Sequence, residues 1–288
     1  MAKNGQGRLI IIGGAEKKDP ERKILKEVAR QAEGGKLVVA TIATEDPDEV
    51  WEEYRKIFQE ELGVKKLEHL DVRIREEATT EERVRIVEDA KVIFFTGGDQ
   101  LKITSQLGDS AVYQTIEKLY REAGATVAGT SAGASVMSET MLVSGAAEES
   151  HQIGKLMAMA PGLGLIQDVI VDQHFAERGR LGRLLGAVAQ NPKHMGMGID
   201  ENTAVIVHGE ERLEVIGEGA VYLLDGSEAT YSNLAERDED QEKVLSLFDV
   251  KLHLLSEGTQ FDLKERRPEV PPKPEEIAAA RGAKSAKD

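Results

Sequence analysis

Residues 128 to 137 read AGTSAGASVM, and within them Gly129, Thr130, Ser131, Ala132 and Gly133 fit the pattern glycine-x-serine-x-glycine. That pattern carries a nucleophilic serine when it lies on a sharp turn between a buried strand and a helix. On such a turn the hydroxyl projects alone, and the residues two positions away must be small for the turn to close against its neighbours. ATVAGTSAG (125 to 133) supplies the apolar run before the turn and the small-residue helix start after it, so the setting agrees. The turn also puts the backbone N–H of Ala132 where it can stabilise an oxyanion. The alternative is an ordinary strand-to-helix turn. Ser135, one helical turn inward, is the rival serine and reads as a capping or packing residue.

A serine needs a positioned base, and the chain has six histidines. His69 falls in a weak strand, His151 in a polar loop, His194 in a turn near proline, and His208 and His253 within or just after strands. His174 differs: it ends the apolar run DVIVDQHF and precedes AERGRLGR, which holds three arginines. The acid that orients the imidazole is open between Asp200 and Glu201 in GMGIDENTAVIV. Asp172 is the poorer choice, because residues i and i+2 of a strand share a face without packing head to tail. It reads as shaping the pocket. Arg180 and Arg183 share one helix face, with Arg178 just before them. A solvated surface is the usual meaning of such a cluster, but in an acidic chain, directly after the candidate base, it points to a substrate bearing carboxylates.

Two other strand ends carry glycine pairs. IIGGAEKK (11 to 18) lacks the G-x-G-x-x-G spacing and no lysine-serine pair follows, so a nucleotide site is poorly supported. FFTGGDQ (94 to 100) places Gly97 and Gly98 at a strand end with Gln100 just beyond, leaving bare N–H groups to face a ligand; the alternative is a helix start with Asp99 as its cap. With Ala132, Gly98 is the expected second oxyanion donor.

The elements that must position these residues are legible as a rhythm. RLIIIGG, KLVVATIAT, KVIFFTGG and ATVAGTSAG read as strands buried on both faces, and KLEHLDV as a weaker fifth. Helical spacing fills residues 20 to 33, 47 to 62, 80 to 89 and 109 to 123, so strand and helix alternate as in a parallel α/β sheet. After residue 140 the strands shorten: QDVIVDQHF, MGIDENTAVIVHG, RLEVIGEGAVYLLD and VKLHLLSEG, with one helix at 179 to 190. These are expected to form hairpins, around GEG among other turns, and to extend the same sheet. The expected fold class is α/β: a mostly parallel sheet flanked by helices, with antiparallel hairpin extensions in the second half. Residues 1 to 263 are expected to form one domain, and 264 to 288, proline-rich and charged, an extended or disordered tail.

Composition narrows the chemistry. The 288 residues carry a formal net charge of −15 and no cysteine. That excludes a disulfide, a thiolate ligand or a cysteine nucleophile, and argues against nucleic acid or an anionic membrane as partner. The apolar run near the start is too short for a signal or a membrane span, so a cytoplasmic location is expected. No metal or cofactor is expected, since no second histidine lies at ligand spacing from Asp172-Gln173-His174.

FTGGDQLKITSQLGDSAVY, AGTSAGASVMSETML, VDQHFAERGRLGRLL and GIDENTAVIV closely resemble peptidase family S51, a family of serine peptidases that includes cyanophycin-degrading enzymes and aspartyl dipeptidases. The resemblance spans roughly residues 8 to 262. It implies a fold like that of class I glutamine amidotransferases (flavodoxin-like), with serine at the elbow in place of cysteine. It further implies Ser131 as nucleophile, His174 as base and Glu201 rather than Asp200 as acid. Gln100, Asp172, Gln173, Arg178, Arg180 and Arg183 match positions associated with substrate recognition. The implied activity is hydrolysis of cyanophycin, a polyaspartate backbone with arginine on each β-carboxyl, to β-Asp-Arg dipeptides, by a homodimer. The competing expectations are an aspartyl dipeptidase acting on small Asp-X peptides and a non-catalytic protein that binds the arginine polymer.

Overall fold

The structure, a computed structural model, describes residues 6–143, 158–209, 211–234 and 244–269. Five strands make its parallel centre: β1 (Arg8–Ile12), β2 (Lys36–Ala40), β3 (Lys66–Leu70), β4 (Ala90–Phe95) and β5 (Thr126–Thr130). Alternation along them feeds two cores. Leu9, Ile11, Val38, Ile93 and Phe95 face one side, whereas Ile10, Ile12, Leu37, Val39, Val92 and Phe94 face the other. This is why β1, β2, β4 and β5 read as continuous apolar runs, while β3, at the sheet edge, does not.

Helices cover both sides. On one lie α1 (Lys23–Gln31) and α2 (Pro47–Arg55), the latter continuing as a π-helical stretch, Lys56–Glu61; they bury Ile24, Leu25, Val28, Tyr54, Ile57 and Phe58. On the other lie α3 (Glu81–Val87), α4 (Gln100–Leu107) and α5 (Ala111–Glu122). Side-chain caps start all three: Thr80, Asp99 and Ser110 each accept a backbone N–H from the first turn. Asp99 is therefore the cap that the sequence offered as the alternative at the Gly97–Gly98 strand end. A four-residue helix, α6 (Ala132–Ser135), follows β5 directly.

The second half departs from the expected single sheet. A short ribbon pairs β6 (Thr140–Leu142) with β7 (Met159–Pro161). Then come β8 (Val169–Gln173), α7 (Leu181–Gln190), β9 (Met195–Ile199), β10 (Thr203–His208), β11 (Arg212–Gly217) and β12 (Val221–Asp225). The small pair β13 (Tyr231–Ser232) and β14 (Leu247–Phe248) precedes β15 (Lys251–Leu255), β16 (Gln260–Asp262) and β17 (Arg267–Glu269). The large sheet runs β17-β16-β11-β10-β1-β5-β4-β2-β3, so its expected antiparallel extension is there. A separate sheet, β15-β12-β9-β8, packs against it through Val171, Met197, Ile199, Val221 and Leu223.

The expected GEG hairpin is consequently a crossover. β11 pairs with β10 and β16, while β12 pairs with β9 and β15, so residues 218–220 carry the chain from one sheet to the other. Residues 200–202 make the same passage between β9 and β10, and the two crossings touch where Glu218 N–H donates to Asn202 O at 3.1 Å. A strand buried on both faces has the same pattern in either sheet, which is why periodicity does not separate a hairpin from a crossover. Of the expected tail from residue 264, Arg267–Glu269 is an ordered edge strand on β16; residues 270–288 lie outside the described residues, as does His151.

Candidate active site

β5 ends where the glycine-x-serine-x-glycine pattern begins its turn. Ser131 has φ 52° and ψ −109°, a backbone state that side-chain-bearing residues rarely adopt. Its neighbours hold it there. Ser131 N–H donates to Ile12 O at 3.1 Å, and its carbonyl accepts from Ala134 and Ser135 at 3.0 and 3.1 Å. The flanking glycines are small of necessity: a Cβ on Gly129 would stand 2.4 Å from Gly133 O, and one on Gly133 2.4 Å from Phe95 O.

His174 follows β8 with φ 48°, and its N–H donates to Gly13 O at 2.8 Å. Its Nε2 lies 3.0 Å from Ser131 Oγ, and its Nδ1 lies 2.6 Å from Glu201 Oε1. With a proton on Nδ1, the ring donates to Glu201 and accepts from the serine hydroxyl. A hydroxyl, an imidazole and a carboxylate linked in this order can activate the hydroxyl for attack on a carbonyl. Asp200, the other acid, is buried and turned away. Its Oδ1 accepts Ala176 N–H at 2.9 Å and its Oδ2 accepts Ala220 N–H at 3.0 Å, tying the loop after His174 to the start of β12. The rival serine, Ser135, is buried and accepts from Gln173 Nε2 at 3.2 Å.

Across from Ser131 lies the Gly97–Gly98 turn; a Cβ on Gly97 would stand 3.5 Å from Ser131 Cβ. The N–H groups of Gly97, Gly98 and Ala132 donate to no acceptor among the described residues, so they are available to an oxyanion. Gln100 is half-buried beside this turn and donates to Leu142 O at 2.8 Å.

The arginine cluster is not the open carboxylate receptor that the sequence leads one to expect. Asp172 is 0% exposed, and both its oxygens are bound by Arg183, at 2.7 and 2.5 Å, with Arg180 Nη1 at 3.2 Å from Oδ1. Arg180 also donates to the carbonyl and side-chain oxygens of Gln173. Burial pushes the Arg180 guanidinium down to about 10, which leaves it charged at neutral pH. The cluster buries because Asp172 points inward from β8, and a buried carboxylate requires cationic partners. Asp172 and Arg183 thus build the wall behind the site; Arg178 alone of the three arginines is exposed. Arg183→Met is expected to cost roughly 3–5 kcal/mol of stability, because it strips Asp172 of its bidentate partner; chemical denaturation measures this, and a loss below about 1 kcal/mol would contradict the pairing.

Sequence reasoning missed the loop after β1. Gly14 has φ 103°, and a Cβ there would lie 2.3 Å from the His174 ring, so the imidazole rests on bare backbone. Gly14 O accepts Asn202 N–H at 2.9 Å, and Gly13 N–H donates to Thr203 O at 2.9 Å. The glycine pair was visible in IIGGAEKK; that β1 lies beside β5 and β10 was not. Gly14→Ala is expected to push the ring off Ser131 and reduce turnover about 100-fold, read as kcat on protein whose circular dichroism matches wild type.

No helix among the described residues is long and apolar enough to cross a membrane, and none of their His, Asp and Glu side chains form a group of three able to hold a metal ion.

Residues 9–215 match peptidase family S51. Among similar proteins, a cyanophycinase from Nostoc sp. (strain PCC 7120 / SAG 25.82 / UTEX 2576) is 39% identical over 260 residues, 90% of this chain and 86% of that protein. A cyanophycinase from Geminocystis herdmanii (strain PCC 6308) is 38% identical over 262 residues, 90% and 95% of the two chains. Among solved structures, a peptidase from an acI-B1 Actinobacterium superposes with a TM-score of 0.66 over 90% of this chain and 97% of its own; at 22% identity it speaks to the fold alone. With its site geometry and these matches together, the chain belongs to peptidase family S51 and is a peptidase.

Proposed function

We propose that this peptidase is a serine-type exopeptidase that hydrolyses cyanophycin to β-Asp-Arg dipeptides through an acyl-enzyme. The observation that carries the reading is the chain of contacts from Ser131 Oγ through His174 to Glu201, at 3.0 and 2.6 Å, in a protein whose relatives at 38 and 39% identity are named cyanophycinase. Ser131 Oγ attacks the backbone carbonyl carbon that joins two aspartates, and His174 Nε2 takes the hydroxyl proton. The carbonyl oxygen becomes an oxyanion held by the Ala132 N–H and by the Gly97–Gly98 turn, with Gly98 the assigned donor. Collapse breaks the C–N bond, the leaving amine takes the proton from His174, and a water attacks the ester by the same route in reverse.

Recognition rests on charge. The substrate carries a guanidinium and a carboxylate per unit, and a net charge of −15 favours approach of its cationic side chains. Arg178, exposed just after His174, is assigned to a substrate carboxylate; Gln100 is assigned to substrate beside the Gly97–Gly98 turn, and the buried Gln173 and Arg180 to support from behind. The reading includes a cytoplasmic location and a homodimer, the latter checked by light scattering on the purified protein. The test is digestion of cyanophycin granules beside a panel of Asp-X dipeptides. Release of β-Asp-Arg is expected; turnover of the dipeptides alone makes the protein an aspartyl dipeptidase, and turnover of neither together with co-sedimentation on the granules makes it a binding protein.

A further inference from the structure

Behind the elbow lies a carboxyl group that the mechanism above does not use. Glu16, in the loop after β1, is 5% exposed. Its Oε2 accepts the hydroxyl of Thr130 at 2.5 Å and its Oε1 accepts the hydroxyl of Tyr54 at 2.5 Å. Thr130 is the residue immediately before Ser131 and is itself buried. Tyr54 is wedged against Phe58 and Phe94, with ring centroids 6.0 and 4.9 Å away. Burial first, and the neighbouring Glu16 second, hold the Tyr54 phenol well above its ordinary range, so it remains an O–H donor wherever the enzyme works. Glu16 has no ion pair among the described residues. A buried carboxyl group without a cation is costly unless hydroxyls or amides satisfy it, and these two donors are what satisfies this one.

The rest of the loop reaches the other two site segments. Gly13 O holds His174 N–H, Gly14 O holds Asn202 N–H beside Glu201, and Lys17 N–H donates to Asn202 Oδ1 at 2.9 Å. Ile12 O holds Ser131 N–H. Residues 12–17 therefore touch each of the three segments that bear Ser131, His174 and Glu201, and these otherwise come from different strands. Within that loop Glu16 is the one side chain that grips the segment carrying the serine.

We infer that Glu16 is a positioning residue for Ser131: its carboxyl group ties the Thr130 hydroxyl to the Tyr54 hydroxyl and so fixes the strained turn that aims Oγ at His174. The strain makes such a clamp necessary. A residue at φ 52° and ψ −109° relaxes unless its neighbours over-determine it, and a displacement of about 1 Å at a reacting atom costs on the order of 100-fold in rate. The inference rests on Ser131 being the nucleophile, so its test reads the serine directly.

The experiment compares wild type with Glu16→Met, Thr130→Val, Thr130→Ser, Tyr54→Phe and the double variant Glu16→Met/Thr130→Val. Each is read by its second-order rate of covalent labelling at Ser131 with a fluorophosphonate, normalised to folded protein, and by kcat and KM on cyanophycin. Glu16→Met and Thr130→Val are each expected to slow labelling about 10- to 100-fold and to lower kcat in parallel, with KM within about twofold. Because Glu16→Met and Thr130→Val both remove the same contact, the double variant is expected to be no slower than the slower single. Thr130→Ser, which keeps the hydroxyl, is expected to restore labelling, and it guards against misfolding as the cause. Tyr54→Phe is expected to give a smaller loss, since the Thr130 contact survives. Labelling of Glu16→Met and Thr130→Val at the wild-type rate would overturn the inference, and so would additive losses in the double variant. Labelling does not depend on the polymer, so failure of cyanophycin as substrate leaves this test standing; absence of labelling in wild type would refute the nucleophile and the inference together.

Discussion

Ser131→Ala is expected to abolish turnover of cyanophycin, with a loss of about 10⁶-fold if this site behaves as other Ser-His-acid sites do. No neighbour can substitute. Ser135, the other serine of the opening stretch, is buried and occupied by Gln173, so it is out of reach of a substrate. The fold is expected to survive, since the Ser131 contacts that shape the turn are made by its backbone. The check is product release over hours together with the thermal melting midpoint. Residual activity above about 1% of wild type in a well-folded variant would place the nucleophile elsewhere.

Glu201→Gln is expected to lower kcat by about 10³- to 10⁴-fold. The carboxylate lies 2.6 Å from His174 Nδ1, and an amide there fails in either orientation. With its NH₂ toward the ring, the imidazole proton moves to Nε2, which then cannot accept the Ser131 proton. With its oxygen toward the ring, the tautomer survives but the charge that stabilises the imidazolium is gone. Asp200→Asn is the control. Asp200 serves two backbone N–H groups, and an amide keeps one acceptor, so the variant is expected to lose stability and only about 10-fold in kcat. The comparison is made by steady-state kinetics on both variants. A larger loss in Asp200→Asn than in Glu201→Gln would exchange the two roles.

The Asp200–Glu201 pair also marks where sequence reading stops. Two adjacent acids before a β-branched run are equivalent in pattern. They separate only because β9 and β10 belong to different sheets, and the turn between them directs one carboxylate to backbone donors at Ala176 and Ala220 and the other to His174. The arginines behave alike: spacing put Arg180 and Arg183 on one face, but not whether that face meets water or Asp172. Burial is a property of what packs above the face, and that is β8.

By itself the sequence determined the strands of the parallel centre, because buried runs bounded by glycine leave few alternatives, and it determined the elbow, because its constraint is local: only small residues let that turn close. It also supplied His174 as the strand-end histidine. The tertiary structure alone decided which elements are neighbours. The adjacency of β1 to β5 and β10 turned Gly13, Gly14 and Glu16 from a poor nucleotide loop into the support for all three candidate residues. The passage of the chain between two sheets at residues 200–202 and 218–220 brought Glu201 to His174. Such pairings join residues 27 to 200 positions apart, and no local period or propensity records them; they exist only once both sheets have closed on a common core.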